Sequence, residues 1–316
     1  YDQPSSQNNT IYLETEEGRI NTESEVKGTK IRKQTYTQIK QLGEGSYGKA
    51  YLVKCSGDGS LAVIKTMPLE SMSDEAKKEA FKEAKILEKL DHPNIVKFVE
   101  VFRSNKPFAT LNIVMEYADG GDLNKAIKEQ QKGNKFFPEH KILDWFCQIC
   151  LAVKQIHSKK ILHRDLKSGN IFLTNSGIVK LGDFGIAKSL SNTLEKAKTV
   201  IGTPYYLSPE IIMNKPYSYK SDVWSLGVLL YEMCLLKMPF DAKSMPMLTL
   251  KIIKGEYMKL PSSFSKELSE LVSSLLTVDH KKRPDISQVL TTPILRSRIS
   301  NFLKEVNFDN EMSKNI

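Results

Sequence analysis

Cysteine is scarce: four residues among 316, at Cys55, Cys147, Cys150 and Cys234, each inside an apolar or strand-like stretch. That scarcity excludes a disulfide scaffold and points to a reduced intracellular protein, in cytosol or nucleus. Cys147 and Cys150 form a CxxC, but no second pair or nearby histidine completes a metal site. Three-residue spacing suits one helix face, so core packing is the better reading. No apolar run approaches the length of a bilayer span, and no charged-apolar-small leader opens these residues. The expectation is a soluble cytoplasmic protein with no membrane partner. Internal repeats are absent. The net charge of +9 is spread over dispersed lysines without an aromatic-interleaved basic stripe, so no specific nucleic-acid partner is expected. What remains is an ordinary globular composition, 40% hydrophobic and 26% charged, on a chain long enough to bury a core without staples.

Residues 1–34 are rich in Gln, Asn, Ser, Thr and Glu and lack apolar periodicity. They cannot offset their ordering entropy and are expected to be disordered. From Thr37 a strand-like run is broken by Gly43, Gly45 and Gly48 and resumes at Ala50–Val53, which predicts a hairpin with a glycine-rich tip. A third strand, Leu61–Thr66, follows the Gly57-Asp58-Gly59 turn. Ser71-x-x-Asp74 resembles a capping box, and Ala76, Ala80, Ala84 and Leu87 recur at helical spacing until His92-Pro93. Strands at Ile95–Phe102 and Leu111–Glu116 complete a small sheet. Gly120-Gly121 then marks a linker, and the pattern turns mainly helical. Pro138 opens a helix whose stripe is Ile142, Leu143, Phe146, Ile149, Cys150, Val153 and Ile156. Short strands follow at Ile171–Leu173 and Val179–Leu181, then helices at Val223–Leu235, Met247–Ile253, Glu267–Leu276 and Ile286–Leu290. The reading is an α+β chain: a β-rich unit over 35–118, a helical unit over 119–295, and a helical or flexible tail over 296–316.

Gly43-Glu-Gly45-Ser-Tyr-Gly48 is weak evidence alone, since ordinary turns share its spacing. Because it joins two strands, its N–H groups can fold over phosphates as a flap. Lys65 ends the strand Ala62–Lys65 and can reach α- and β-phosphates if a carboxylate such as Glu83 fixes its ammonium. Singly, either residue reads as a solvated surface charge. The run His163-Arg164-Asp165-Leu166-Lys167-Ser168-Gly169-Asn170 is far more specific. Asp165 can orient a hydroxyl and accept its proton, Lys167 can steady a γ-phosphate, and Asn170 offers a neutral oxygen to Mg²⁺. Asp183-Phe184-Gly185 adds a carboxylate for a phosphate-bridging Mg²⁺. Positioning and charge neutralisation, with little covalent chemistry, would then supply most of the acceleration.

Over residues 36–294 these motifs resemble the eukaryotic protein kinase fold, and Leu111–Leu123, His163–Leu173 and Ile201–Glu210 are similar to the NIMA-related kinases. The resemblance implies a two-lobed fold and ATP-dependent, Mg²⁺-requiring transfer of phosphate to Ser/Thr hydroxyls of proteins. It implies an adenine slot roofed by Leu42, Ala50 and Ala62, floored by Phe172, with Met115 as gatekeeper, Glu116 and Ala118 as hinge, and Asp122 at the ribose. Leu87, Phe98, His163 and Phe184 would form a hydrophobic spine, Asp222 would brace the catalytic loop, and Glu210 would pair with Arg283. Thr199, between Asp183 and Glu210, would be the activating phosphosite, clamped by Arg164 and Lys188, with Thr193 the nearest competitor. Ile186 would favour threonine acceptors, and Phe98 would lack an autoinhibitory tyrosine's hydroxyl. Ala50 stands where most relatives have valine, Ser208 where the usual motif has alanine, and Gly169 where arginine-directed relatives carry an acid. Cell-division or ciliary roles, with cytoskeletal or centrosomal partners, would follow by analogy. Two rivals are a pseudokinase scaffold, which needs a missing catalytic residue, and a basic nucleic-acid module, which needs clustered charge.

Overall fold

Tyr36–Gly45 and Gly48–Cys55 pair as an antiparallel hairpin. The structure, a computed structural model, describes residues 36–45, 48–70, 73, 74, 77, 87–104, 109–183 and 204–305. These divide into two compact units: one runs through Asp91 and includes Val96–Tyr117, and the other holds His92–Ile95 and the chain from Ala118 onward.

The first unit is a five-stranded antiparallel sheet of β1 (Tyr36–Gly45), β2 (Gly48–Cys55), β3 (Leu61–Pro68), β4 (Phe98–Ser104) and β5 (Thr110–Glu116), ordered β1-β2-β3-β5-β4. Period-two alternation turns Ala62 and Ile64 inward from β3. They join Tyr36, Val53, Cys55, Phe102 and Val114, with Tyr36 stacked on Phe102 at 6.3 Å between centroids. The β2–β3 turn uses Gly59 at φ +73°, and the Ser60 N–H donates to Asp58 Oδ1 at 2.9 Å. The helix expected after Ser71 lies mostly outside the described residues; Asp74, Lys77, Leu87 and Glu88 are helical.

The strand expected at Ile95 begins instead at Phe98. The preceding residues are held elsewhere: Ile95 makes a lone parallel bridge to Leu181, and the Leu181 N–H donates to Asn94 O at 2.8 Å. Asn94 Nδ2 donates to Gln148 Oε1 and Val179 O, at 2.9 and 3.0 Å. Those bonds make His92–Ile95 part of the second unit.

That unit contains α1 (Leu123–Lys132), α2 (Glu139–Ser158), the hairpin β6 (Ile171–Leu173) and β7 (Val179–Leu181), then α3 (Pro209–Ile212), α4 (Tyr219–Leu235), α5 (Met245–Lys254), α6 (Lys266–Leu275), α7 (Ile286–Leu290) and α8 (Pro293–Glu305). The sequence reading omitted α1, which buries only Leu123 and Ile127 and is started by Asp122, whose side chain accepts from Lys125 N. Two apolar positions four apart are too thin a periodic signal. On α2 the predicted stripe is buried, but so are Trp145, Cys147, Gln148, Leu151 and Ala152, because α4, α7, α8 and β7 surround the helix. Both CxxC thiols are buried within it, and burial pushes Cys147 up to about 12 and Cys150 well above its usual value. Helix α4 starts four residues before Val223, because Ser218 and Ser221 form a capping box. Among the described residues no helix is long and apolar enough to cross a membrane.

Candidate active site

After α2 the chain enters the loop His163–Asn170, closes it with a 3-10 turn at Ser168–Asn170, and continues into β6. Too little apolar surface lies in such a loop to hold it, so its shape depends on polar anchors. Asp222, fully buried in the first turn of α4, accepts from His163 N at 3.0 Å with Oδ2 and from Arg164 N at 3.1 Å with Oδ1. His157 Nε2 lies 2.8 Å from Oδ2, and the Tyr217 hydroxyl donates to Oδ1 at 2.5 Å. Burial alone would raise the Asp222 pKa. The His157 hydrogen bond and charge, with help from His163 and Tyr217, outweigh it and hold the carboxyl below its usual range. Arg164 accordingly sits at φ 66°, a left-handed geometry that the two anchored N–H groups impose.

Burial drives the His163 pKa down, with nearby carboxylates opposing. Its Nδ1 accepts from Asp165 N at 3.3 Å and its Nε2 faces Gly182 O at 3.2 Å, fixing the tautomer. Two side chains converge on Asp165. Lys167 Nζ lies 2.9 Å from Oδ2, and Asn170 Nδ2 donates to the same oxygen at 3.0 Å and to Asp165 O at 2.8 Å. The Gly182 N–H donates to Asn170 O at 3.0 Å and Asn170 Nδ2 reaches Asp183 O at 3.4 Å, which brings Asp183, at φ 49°, beside the loop.

With its nitrogen committed to Asp165, the Asn170 amide turns its oxygen the other way. That oxygen and the Asp183 carboxylate are hard donors of the type Mg²⁺ takes. No group of three or more His, Cys, Asp or Glu gathers among the described residues. Two protein donors suit a cation that keeps water and phosphate oxygens in its shell, so the residues present fit Mg²⁺.

In the first unit, Gly43 pairs with Ala50 and Gly45 with Gly48 across the tip of β1–β2. A Cβ on Gly48 would lie 2.0 Å from Thr66 O, so the third glycine is demanded by the approach of β3. Lys65 is half-buried on β3 opposite Ala50 and Ile113. Ala62 is buried opposite Glu116, Met115 is half-buried between Val63 and Phe98, and Leu42 is exposed. Glu116 Oε1 accepts from Lys97 N at 2.6 Å. In the second unit Ala118 precedes the Gly120-Gly121 pair, and Asp122 bridges to Phe172. Glu83, Phe184, Ile186, Lys188 and Thr199 lie outside the described residues.

Glu210 and Arg283 form a bidentate pair, 2.8 and 3.0 Å, with both side chains buried and Arg283 stacked 5.0 Å from the Trp224 ring. Burial would raise the Glu210 pKa, but the Arg283 guanidinium, with Ser221, holds it down. The sequence reading missed His157 and Tyr217. His157 stands on the last turn of α2 six residues before His163, and Tyr217 stands five before Asp222. Neither spacing marks a contact without the fold.

A two-unit chain with this loop, an adjoining Asp183 and a glycine-tipped hairpin has the organisation of a phosphoryl-transfer domain. Residues 36–295 match the family described as Protein kinase domain, and the chain belongs to that family. It is 49% identical over 268 residues to the serine/threonine-protein kinase Nek1 of Mus musculus, covering 85% of this chain and 22% of that protein. It is likewise 49% identical over 269 residues to the serine/threonine-protein kinase Nek5 of Homo sapiens, 85% of this chain and 37% of that one. A putative serine/threonine-protein kinase A of Trypanosoma brucei brucei is 42% identical over 278 residues, 87% of this chain and 64% of that protein. The chain therefore spans well under half the length of the mouse and human relatives.

Proposed function

We propose that the protein is a serine/threonine protein kinase of the NIMA-related type, transferring the ATP γ-phosphoryl group to Ser/Thr hydroxyls of protein substrates. The observation that carries this reading is the convergence of Lys167 and Asn170 on Asp165, with Asp183 tied to the same loop. Asp165 holds the acceptor hydroxyl and takes its proton, while Lys167 steadies the transferring group. Asn170 and Asp183 would hold Mg²⁺, which when bound offsets the negative charge of the phosphates. Lys65 supplies the ammonium for the α- and β-phosphates, with Glu83 as its partner. Leu42, Ala50, Ala62, Met115, Glu116, Ala118, Asp122 and Phe172 would take the adenosine. Phosphorylated Thr199 would pair with Arg164 and Lys188. The buried Arg164 Nε, without a hydrogen-bond partner among the described residues, supports this pairing. A cytoplasmic, centrosomal or ciliary setting rests on the family resemblance alone, and imaging of the tagged protein tests it.

The decisive experiment incubates the purified chain with labelled ATP and a Ser/Thr peptide array, with and without Mg²⁺. Phosphopeptides that vanish on chelation are expected, with Thr199 modified in the mass spectrum. Absence of transfer from a Thr199-phosphorylated chain would overturn the reading, leaving a nucleotide-binding scaffold.

A further inference from the structure

Beside the catalytic loop lies a buried polar cluster that the chemistry above does not use. Ser168 sits between Lys167 and Asn170, the two residues that reach Asp165. Its N–H donates to the Tyr206 hydroxyl at 3.2 Å, and its own hydroxyl donates to Glu232 Oε1 at 3.2 Å. Tyr206 donates to Glu232 Oε2, and the Ser168 and Tyr206 hydroxyls lie 3.3 Å apart. All three residues are buried. The triangle draws on three separate stretches of chain: the loop, the 3-10 turn Pro204–Tyr206, and the last turn of α4. Ser225 on α4 also donates to Tyr206 O at 3.1 Å, so Tyr206 is tied to α4 at both ends.

Glu232 is an acid inside the apolar run of α4. Burial pushes its pKa up, opposed first by the Tyr206 and Ser168 hydrogen bonds and then by the charge of Lys128. A leucine or methionine would fill that space without desolvating a charge. What an apolar residue cannot do is accept one hydrogen bond from the catalytic loop and a second from the segment that re-enters at Pro204. Catalytic geometry is lost over distances near 1 Å, and a short loop needs outside partners to keep it.

We propose that Ser168, Tyr206 and Glu232 form a positioning triad that sets the catalytic loop, so that Lys167 and Asn170 meet Asp165 in the geometry that transfer requires. The proposal rests on reading Asp165 as the proton acceptor. None of the three touches substrate in it; each acts through the main chain of Ser168.

Tyr206→Phe removes one hydroxyl and keeps the ring, and Ser168→Ala removes the other end of the triangle. Each is expected to lower kcat roughly 10- to 100-fold, the scale of a misplacement near 1 Å, with the KM for ATP nearly unchanged. The double variant should lose little more than either single one, because both break the same unit. Glu232→Gln, which keeps a carbonyl acceptor, should retain more activity than Glu232→Leu. Amide exchange over Ser168–Asn170 should quicken in Tyr206→Phe. Should Tyr206→Phe fail to fold, Ser168→Ala carries the same expectations. A lower melting temperature with unchanged kcat per ATP-binding site and unchanged exchange overturns the triad. If the wild type transfers no phosphate, the kinase reading falls, and exchange alone still decides whether the triad holds the loop.

Discussion

Asp222 has two carboxylate oxygens and four partners, two of them loop N–H groups. An amide in its place would turn an NH₂ towards one of those donors. Asp222→Asn is therefore expected to cost about 1–3 kcal/mol, the penalty of a buried unsatisfied donor, and to lower kcat through Arg164 and Asp165. Calorimetry and steady-state kinetics on one preparation check both. Asp165→Asn is different, since it removes the proposed proton acceptor while its neighbours stay. A loss of roughly 10²–10⁴-fold in kcat is expected, with the melting temperature nearly unchanged. Retention of more than about a tenth of the rate would count against the assigned role. Asp165 was legible from its place in the run His163–Asn170, whereas Asp222 was expected only from the family resemblance. The reason for Gly120-Gly121 was not: Gly121 takes φ +73°, and a Cβ on Gly120 would lie 2.8 Å from Leu173 O, a contact set by β6.

At the scale of elements, most strands and helices were legible because each carries its own period and its own caps. Helix α4 also shows where that legibility stops. Gly227 lies in its interior, where alanine is the better helix former by about 1 kcal/mol. A Cβ there would lie 2.8 Å from Leu275 Cβ and 2.9 Å from Leu276 Cδ2. The Leu275 Cβ is fixed to its backbone and cannot swing aside, so α4 and α6 must separate. Overpacking costs about 1–3 kcal/mol and exceeds the propensity gain. Gly227→Ala should thus lower the melting temperature by a few degrees, and a raised melting temperature would defeat that expectation. The expected strand at Ile95 failed for a related reason: its apolar residues suit a strand, yet Asn94 is claimed by Gln148 and Val179.

For the whole molecule, the buried Glu210–Arg283 pair ties α3 to the turn before α7 and makes stability depend on pH. Glu210 and Asp222 have folded pKa values below their usual ones. Their contribution is full above the usual carboxylate range and is lost as pH falls through the folded values. Glu232 works in the opposite direction: its raised pKa favours the folded state at low pH, and that contribution fades as pH rises through the folded value. The melting temperature should therefore drop below about pH 4.5, and Glu210→Gln should flatten that acid limb while lowering its plateau. Arg283→Met strands a buried carboxylate and is expected to cost about 3–5 kcal/mol, checked by urea denaturation at neutral pH.

The sequence by itself determined the α+β class and the family, and it singled out the run His163–Asn170 with Asp183 as the proposed catalytic residues, because those signals are local: fixed spacings, periodicities and caps. The family resemblance supplied Asp222 as a brace of the loop; only the tertiary structure decided its partners and the other side chains that hold the loop. His157 and Tyr217 meet Asp222, and Ser168, Tyr206 and Glu232 meet one another, across 5 to 65 residues of chain. His157, Tyr217, Ser168, Tyr206 and Glu232 each read on their own as a solvated or packed polar residue. Burial is what makes every unpaired donor or acceptor costly, and the cost selects the partners only once the fold has brought them within hydrogen-bond reach.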